Sequence, residues 1–226
     1  MIYKNIYPGK FISRPNRFIA NIEIDGKAEV CHVKNTGRCK ELLTAGADVF
    51  VEKSGNPDRK TVYDLISVYK NGMLINMDSQ APNKVFYEWA RESNFFGDIT
   101  LIKPEYKYKN SRFDFYIEAD DRKIFVEVKG VTLENDGVVS FPDAPTERGV
   151  KHLKELVDAK ENGFEAYVFF IVQMEKCIYF TPNRLNHPQF ADALLDAKNS
   201  GVNIIAVNSI VTENELKINE FIQVVL

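Results

Sequence analysis

The sequence has few features of proteins that work outside the cytoplasm. Its three cysteines, Cys31, Cys39 and Cys177, are too few and too scattered for a disulfide framework, and no pair has the C-x-x-C spacing of a structural zinc site. No apolar run reaches the ~18 residues of a membrane span, and the N-terminal segment lacks the apolar stretch of a signal peptide. We therefore expect a reduced, soluble, cytoplasmic protein.

The chain also has no internal repeat and no low-complexity tract. Hydrophobic residues make up 45% of its 226 residues and charged residues 27%, which is a globular composition. This balance excludes an intrinsically disordered chain, a collagen-like chain and a disulfide scaffold. The length allows one large domain or two small ones.

Residues 1–80 have the pattern of a small β-barrel. Apolar residues alternate from Phe18 to Ile24, Asp25-Gly26 is a strong hairpin turn, and the return strand covers about 27–34. Further strands are predicted at about 48–52, 61–70 and 73–77, with little helix between them. About five short strands in 80 residues fit a five-stranded OB-like barrel, which would remove the exposed strand edges.

From residue 81 onward the pattern changes to a mixed α/β domain, predicted over 81–226. Asn83 is expected to cap a helix over about 84–95, and Thr146 one that continues to about 162. A third helix is expected at about 188–200. The predicted strands cover about 99–108, 112–118, 123–131, 166–172 and 203–208.

The net charge of −3 argues against a nucleic-acid partner until it is divided between the two parts. Residues 1–80 carry 12 Lys and Arg against 9 Asp and Glu, whereas residues 81–226 carry 17 against 23. Phe11 and Phe18 lie among the cations of the first 40 residues. Cations bind phosphates and aromatic faces stack on bases, so the barrel is a candidate nucleic-acid surface; a solvated basic face is the alternative.

Two acidic residues lie inside predicted apolar strands, where charges are rare. A hairpin centred between Asp120 and Asp121 pairs residues whose numbers sum to 241, so Asp114 lies opposite Glu127. Their Cβ atoms would then be roughly 5 Å apart on one face. Lys129, two residues beyond Glu127, shares that face.

Two such carboxylates repel each other unless a positive charge lies between them. A hard divalent cation such as Mg²⁺ prefers oxygen ligands, and Lys129 would complete a centre for phosphodiester hydrolysis by positioning water or stabilising charge. A structural ion-pair cluster of Asp114, Lys129 and Glu127 explains the same residues. Both interpretations remain open at this level.

This arrangement resembles the PD-(D/E)XK nuclease superfamily, whose three core positions are matched by Asp114, Glu127 and Lys129. Phe113 stands where that motif usually has proline. The resemblance implies a metal site for Mg²⁺ or Mn²⁺ formed by Asp114 and Glu127. It also implies an additional acidic ligand from the preceding helix, where Glu88 is the matching residue.

Two longer segments resemble the sugar fermentation stimulation protein family: His32-Val33-Lys34-Asn35-Thr36-Gly37-Arg38, and Phe141 to His152 (FPDAPTERGVKH). Arg17-Phe18 and the segment Glu127 to Leu133 extend the similarity over nearly the whole chain. The resemblance implies an N-terminal OB-like barrel, a PD-(D/E)XK-type domain, DNA binding and a link to the regulation of sugar, particularly maltose, metabolism.

Two local segments supply candidate phosphate ligands. The loop after the second barrel strand can present backbone N–H groups and a guanidinium, and a helix N-terminus attracts anions, although both segments can equally be ordinary surface. We expect nucleic-acid contacts from Arg14, Arg17, Lys34, Asn35, Thr36 and Arg38 in the barrel, and from Arg148, Lys151 and His152 on the helix.

The sequence thus leaves three functional hypotheses. The first is a DNA-binding protein with a metal-dependent nuclease centre. The second is a non-catalytic DNA-binding regulator that uses the nuclease fold as a scaffold, and the third is a metabolic protein that acts on a small phosphorylated ligand. A fold by itself does not distinguish them.

Overall fold

The structure, a computed structural model, describes residues 1–35 and 37–226, and its first part is a closed barrel. The barrel strands are β1 (Ile6–Asn16), β2 (Ile19–Ile24), β3 (Lys27–Val33), β4 (Asp48–Lys53), β5 (Tyr63–Lys70) and β6 (Met73–Asn76). Their order is β3-β2-β1-β4-β5-β6, and an additional parallel pairing of β3 with β5 closes the ring of β1 to β5. The five-stranded OB-like barrel is confirmed.

The membership of the ring differs from the prediction in one strand. The sequence pattern missed β1, because Pro8, Gly9 and Pro15 interrupt it, and it counted β6, which extends β5 outside the ring. Gly9 permits a close approach between strands, since a Cβ there would lie 2.7 Å from the carbonyl oxygen of Glu23. The proline and glycine residues that obscure β1 in the sequence therefore lie in a strand whose pairing is irregular.

The second part is a mixed α/β unit around a six-stranded sheet of order β15-β14-β12-β9-β8-β7. Its elements are α1 (Ala81–Glu92), β7 (Ile99–Tyr108), β8 (Ser111–Ala119), β9 (Arg122–Val131), β10 (Leu133–Asn135), β11 (Val138–Phe141), α2 (Glu147–Glu161), β12 (Glu165–Val172), β13 (Tyr179–Pro182), α3 (Pro188–Asn199), β14 (Asn203–Val211), β15 (Leu216–Phe221) and β16 (Gln223–Val224). The predicted mixed α/β class is confirmed.

Helices cover both faces of this sheet. Phe169 and Ile171 of β12 pack with residues of α1, whereas Val168 and Phe170 belong to the cluster that contains the buried side chains of α2 and α3. This alternation buries β12 on both sides, which explains its continuous apolar sequence. The small sheet β10-β11-β13-β16 has strands of only two to four residues, and the sequence pattern did not indicate it.

Helix α1 begins three residues earlier than predicted. Its N-cap is Gln80, and Pro82 lies in the first turn, where its fixed φ and missing N–H are tolerated. Asn83 is therefore inside the helix, and its side chain is free for another partner. By contrast, Thr146 caps α2 as predicted, because its hydroxyl accepts a hydrogen bond from the Gly149 N–H at 3.1 Å.

The barrel and the α/β unit share a continuous core and a buried polar junction. Asp78 is fully buried there, and its carboxylate accepts hydrogen bonds from Lys34 at 3.3 Å and from the Gln80 N–H at 2.9 Å. Gln173, which directly follows β12, donates to Asn76 and to the carbonyl of Asp78. In the part of the chain described, no helix is long and apolar enough to cross a bilayer.

Candidate metal and nucleic-acid site

The β8–β9 hairpin places the two acidic residues beside each other. Asp120 and Asp121 form its turn with positive φ, and the pairs from Ala119–Arg122 to Phe115–Val126 all sum to 241. The derived register is confirmed. The paired ladder ends at Phe115–Val126, so Asp114 and Glu127 are the first residues beyond it. The site therefore forms where β8 and β9 separate.

Beyond the end of the β8–β9 ladder, the carboxylate of Asp114 accepts the hydrogen bond that a backbone carbonyl would accept within the ladder. Its Oδ2 accepts a hydrogen bond from the Val128 N–H at 2.8 Å, and its Oδ1 accepts one from the Asn83 amide at 2.9 Å. Burial raises the pKa of this carboxyl, and the negative charge of Glu127 raises it further. The side chain is thus fixed by strand β9 and helix α1, which is where Asn83 finds its partner.

Glu127 is the most deeply buried acid of the site, with 3% of the residue exposed. Its Oε1 is hydrogen-bonded to both the Lys129 ammonium and the His152 Nδ1. Burial pushes the pKa of Glu127 up, but the charge of Lys129 and the bond to His152 outweigh it and lower the pKa. The other oxygen, Oε2, is buried and has no hydrogen-bond partner among the described residues.

Lys129 lies on the same face as Glu127 and forms the ion pair that the structural alternative predicts. Its side chain is 15% exposed against 3% for that of Glu127, so Lys129 is the more accessible member of the pair. The following Gly130 is required by packing. A Cβ there would lie 2.6 Å from the Gln173 Oε1 and 2.8 Å from the Pro82 side chain. The end of β9 is thereby held closely against α1.

The position of His152 differs from the prediction. We expected it on the helix surface facing a phosphate, but it is 4% exposed and belongs to the Glu127 network. Its Nε2 accepts a hydrogen bond from the Arg148 Nε–H at 3.3 Å, which assigns the ring proton to Nδ1, facing Glu127. The signal was present in the sequence, because His152 lies on the same helical row as Leu156 and Ala159.

The structure also contradicts the role expected of Glu88. This side chain is half-exposed and pairs with the amino group of Met1 at 2.6 Å, away from Asp114. The helix contributes Asn83 to the site instead. Across residues 1–35 and 37–226, no three His, Cys, Asp or Glu side chains form a metal-binding group, so the protein offers two carboxylates rather than three.

Two of the barrel cations are committed to the fold and do not face solvent as predicted. Arg14 donates hydrogen bonds to four backbone carbonyls, those of Arg17, Asn35, Gly37 and Arg38. Lys34 bridges Asp64 and Asp78 at 3.4 and 3.3 Å, with only 16% of its side chain exposed. Their carbonyl and carboxylate partners occupy the donors that a phosphate would need.

The other predicted phosphate ligands have mixed positions. Arg17 and Arg38 are exposed, and the Arg17 guanidinium lies over the Phe18 ring at 4.8 Å. The side-chain oxygen of Asn35 accepts from the Gly37 N–H at 2.8 Å, so it shapes its own loop. Thr36 lies outside the described residues. Arg148 and Lys151 are exposed on the first turns of α2, as expected.

The barrel loop and the α/β unit enclose a small polar cavity next to Lys129. Its volume is about 160 Å³, and the Arg38 N–H donates to Asp143 at 3.2 Å across the junction. The lining residues are Asn35, Gly37, Ser79, Gly130, Val131, Thr132, Leu133, Ser140, Phe141, Asp143 and Gln173. None of these described residues is cationic, which disfavours a phosphate group in this cavity.

The fold and the site together define a two-part protein, an OB barrel joined to a restriction-endonuclease-like domain. Sequence profiles agree with this division: an SfsA N-terminal OB domain matches residues 12–77, and a sugar fermentation stimulation protein RE domain matches residues 80–215. The chain belongs to the sugar fermentation stimulation protein (SfsA) family.

Relatives of full length support this assignment. Homologues in Clostridium beijerinckii and Ruminiclostridium cellulolyticum are 59% and 57% identical, over 100% and 99% of both chains. Among solved structures, that of Pyrococcus furiosus SfsA in complex with Ca²⁺ covers 100% of this chain and 98% of its own, with a TM-score of 0.92 and 27% identity. The arrangement of barrel and α/β unit is therefore that of a solved family member.

Proposed function

We propose that this protein binds DNA and hydrolyses a phosphodiester bond at a divalent-metal centre formed by Asp114, Glu127 and Lys129. The observation that carries the proposal is the Glu127 Oε2 atom, which lies buried beside a second carboxylate and has no hydrogen-bond partner in residues 1–35 and 37–226. A buried acceptor without a donor costs about 1–3 kcal/mol. Such an atom is a ready ligand for a cation.

The available ligands fit Mg²⁺ or Mn²⁺. Mg²⁺ is commonly held by one or two carboxylates and keeps several water molecules, so the two acids Asp114 and Glu127 suffice without Glu88. The Ca²⁺ complex of the Pyrococcus relative supports a hard divalent cation. When bound, such a cation would polarise the phosphate and lower the pKa of a coordinated water.

The surrounding side chains have distinct roles in this proposal. Lys129 is the more accessible partner of Glu127, and its ammonium would lie beside a phosphate oxygen and stabilise the charge that develops there. His152 holds Glu127 Oε1 through its Nδ1–H, which leaves Oε2 for the cation. Asn83 fixes the Asp114 carboxylate from the side of α1. Lys129 acts on the substrate, and the other two are positioning residues.

Nucleic acid as the partner is supported by both halves of the molecule. OB barrels hold single strands through cations and stacked aromatic rings, and Arg17 with Phe18 is an exposed pair of this kind. A regulatory link to sugar metabolism follows from the name of the family only. The proposal specifies DNA rather than RNA as the nucleic acid, and Mg²⁺ or Mn²⁺ rather than Ca²⁺ as the metal.

The test is cleavage of labelled single- and double-stranded DNA and RNA with Mg²⁺ or Mn²⁺. We expect Asp114→Asn, Glu127→Gln and Lys129→Met each to lower the cleavage rate at least a hundredfold. Glu118→Gln is the matched control, because Glu118 is a half-buried acid on the same strand as Asp114 and its carboxylate bonds to Tyr116. Cleavage that survives in all three variants would refute the proposed centre.

A non-catalytic regulator is the second candidate, and one observation favours it. Glu127 Oε1 already pairs with the Lys129 ammonium and accepts a hydrogen bond from His152, so this oxygen is satisfied without a metal cation. Calorimetric titration with Mn²⁺ separates the two candidates. Binding that is lost in Glu127→Gln supports the metal centre, whereas DNA binding without metal binding or cleavage supports the regulator.

A further inference from the structure

We propose that a basic groove between the β7–β8 turn and the first turns of α2 binds the sugar–phosphate backbone of the nucleic acid. The proposal rests on the function proposed above and assigns the binding surface to the α/β unit. The groove has a volume of about 500 Å³. The basic groove is lined by Lys107, Lys109, Asn110, Ser111, Arg112, Arg148, Lys151 and His152.

The charge of the basic groove distinguishes it from the rest of an acidic domain. Five lining residues are Lys or Arg, and no described lining residue is acidic. Three carboxylates pair with the cations from outside: Glu105 with Arg112, Glu155 with Lys151 and Asp158 with Lys109. The cation of each pair is solvent-exposed and the pairs are therefore weak, so the cations remain available to a polyanion.

Helix α2 forms one wall of the basic groove near its N-terminus. Arg148 and Lys151 lie in its first two turns and flank His152 at the groove wall. Asn110 lies on the opposite wall, and its carbonyl accepts a hydrogen bond from Lys151 at 3.3 Å. Both walls therefore offer donors to phosphate oxygens.

The basic groove adjoins the hydrolytic centre, and the buried His152 lies between them. His152 lines the groove on one side and bonds to Glu127 on the other. A strand that places its phosphates in the groove would thus bring the next phosphodiester toward Glu127. The barrel cannot supply this track with Arg14 and Lys34, since both are held by the fold.

The test compares two double variants in DNA binding without metal. Lys107→Ala/Lys151→Ala removes two groove cations, one from β7 and one from α2. Lys103→Ala/Lys154→Ala removes two exposed lysines from the same elements outside the groove. Fluorescence anisotropy in EDTA, with single-stranded and duplex oligonucleotides of about 20 nucleotides, measures Kd from about 50 to 200 mM salt.

We expect the groove variant to bind on the order of tenfold more weakly and its salt slope to fall by about two. The control variant should stay within about twofold of wild type. Equal losses in the two variants would overturn the groove, because they would reflect net charge alone. If both variants bind as wild type does, the groove is refuted while the cleavage proposal stands for its own test.

A measurement on the unaltered protein guards against a folding defect. Acetylation of lysines followed by mass spectrometry should show Lys107 and Lys151 protected by DNA, with Lys103 and Lys154 unprotected. Equal acetylation of the groove lysines with and without DNA would refute the assignment. Wild-type protein that binds neither DNA nor RNA would refute both the groove and the nucleic-acid partner.

Discussion

Replacement of Arg14 tests whether this cation stabilises the fold, in contrast to the exposed cations of the same barrel. Its guanidinium bonds to the carbonyls of Asn35 and Gly37 at 2.7 and 2.9 Å in a partly buried setting, and to those of Arg17 and Arg38 at 2.8 Å in an exposed one. It therefore fastens the loop after β3 to the end of β1. We expect Arg14→Ala to loosen this loop and to lower the stability of the whole chain.

The size of the effect follows from these contacts. Only the two partly buried bonds are counted, because water can replace Arg14 at the exposed carbonyls. Hydrogen bonds to a charged group contribute about 1.5–3 kcal/mol each. Ordering the long side chain opposes this by about 2 kcal/mol. The buried Nε, which has no partner among the residues that the structure describes, opposes it further. A net loss of about 2 kcal/mol remains, which is roughly a 4–8 °C fall in Tm for a chain of this size.

The assay is thermal unfolding followed by circular dichroism, beside DNA binding by the same variants. Arg14→Lys should recover little, because a single ammonium cannot span four carbonyls. Arg17→Ala is the matched control and should change the unfolding free energy by less than about 0.5 kcal/mol. A Tm for Arg14→Ala equal to that of Arg17→Ala would refute the structural role. So would a loss of DNA affinity with unchanged stability.

Three further predictions concern single positions. Burial raises the pKa of Asp64, but Arg59 and Lys34 outweigh it and bring the pKa to about 2. The ionised carboxylate therefore stabilises the folded chain fully above pH ~4, and this stabilisation disappears toward pH ~2. Asp64→Asn should flatten the fall of Tm with pH in that window. Gly130→Ala should lower the free energy of unfolding, measured in urea, by about 1–3 kcal/mol, because the added Cβ clashes with Gln173 and Pro82. Gly55→Ala should leave it unchanged, because no atom lies near the added Cβ. Thr146→Ala should cost about 1 kcal/mol and Thr146→Ser little, and equal Tm values for the two would contradict the cap.

The sequence predicts the parts of the site that depend on local rules. A two-residue turn fixes the register of a hairpin, and the register determines which side chains are neighbours. The amino-acid sequence alone therefore places Asp114, Glu127 and Lys129 on one face. Thr146 is similar, since a capping residue acts within its own turn. These features require no knowledge of distant contacts.

The predictions fail where a contact with a residue distant in the sequence determines the position of a side chain. Asn83 and Glu88 occupy the same helix, and only the packing of α1 on the sheet determines that Asn83 meets Asp114 while Glu88 meets Met1. A cation in a sequence likewise gives no indication of its partners, so Arg14 could not be distinguished from Arg17. His152 was misplaced because a polar residue is expected outside, although its helical row is buried.

The distribution of charge explains how an acidic domain can hold a polyanion. At one edge of the six-stranded sheet, on or next to β7, Lys103, Lys107 and Lys109 outnumber Asp98 and Glu105. At the opposite edge, on or next to β15, Glu213, Glu215 and Glu220 outnumber Lys217. Such a gradient repels a nucleic acid from one side and attracts it to the other. Under the proposed function, the excess of acidic residues in the α/β unit would favour approach along the basic groove, so the net charge of the whole chain is a poor guide to its partner.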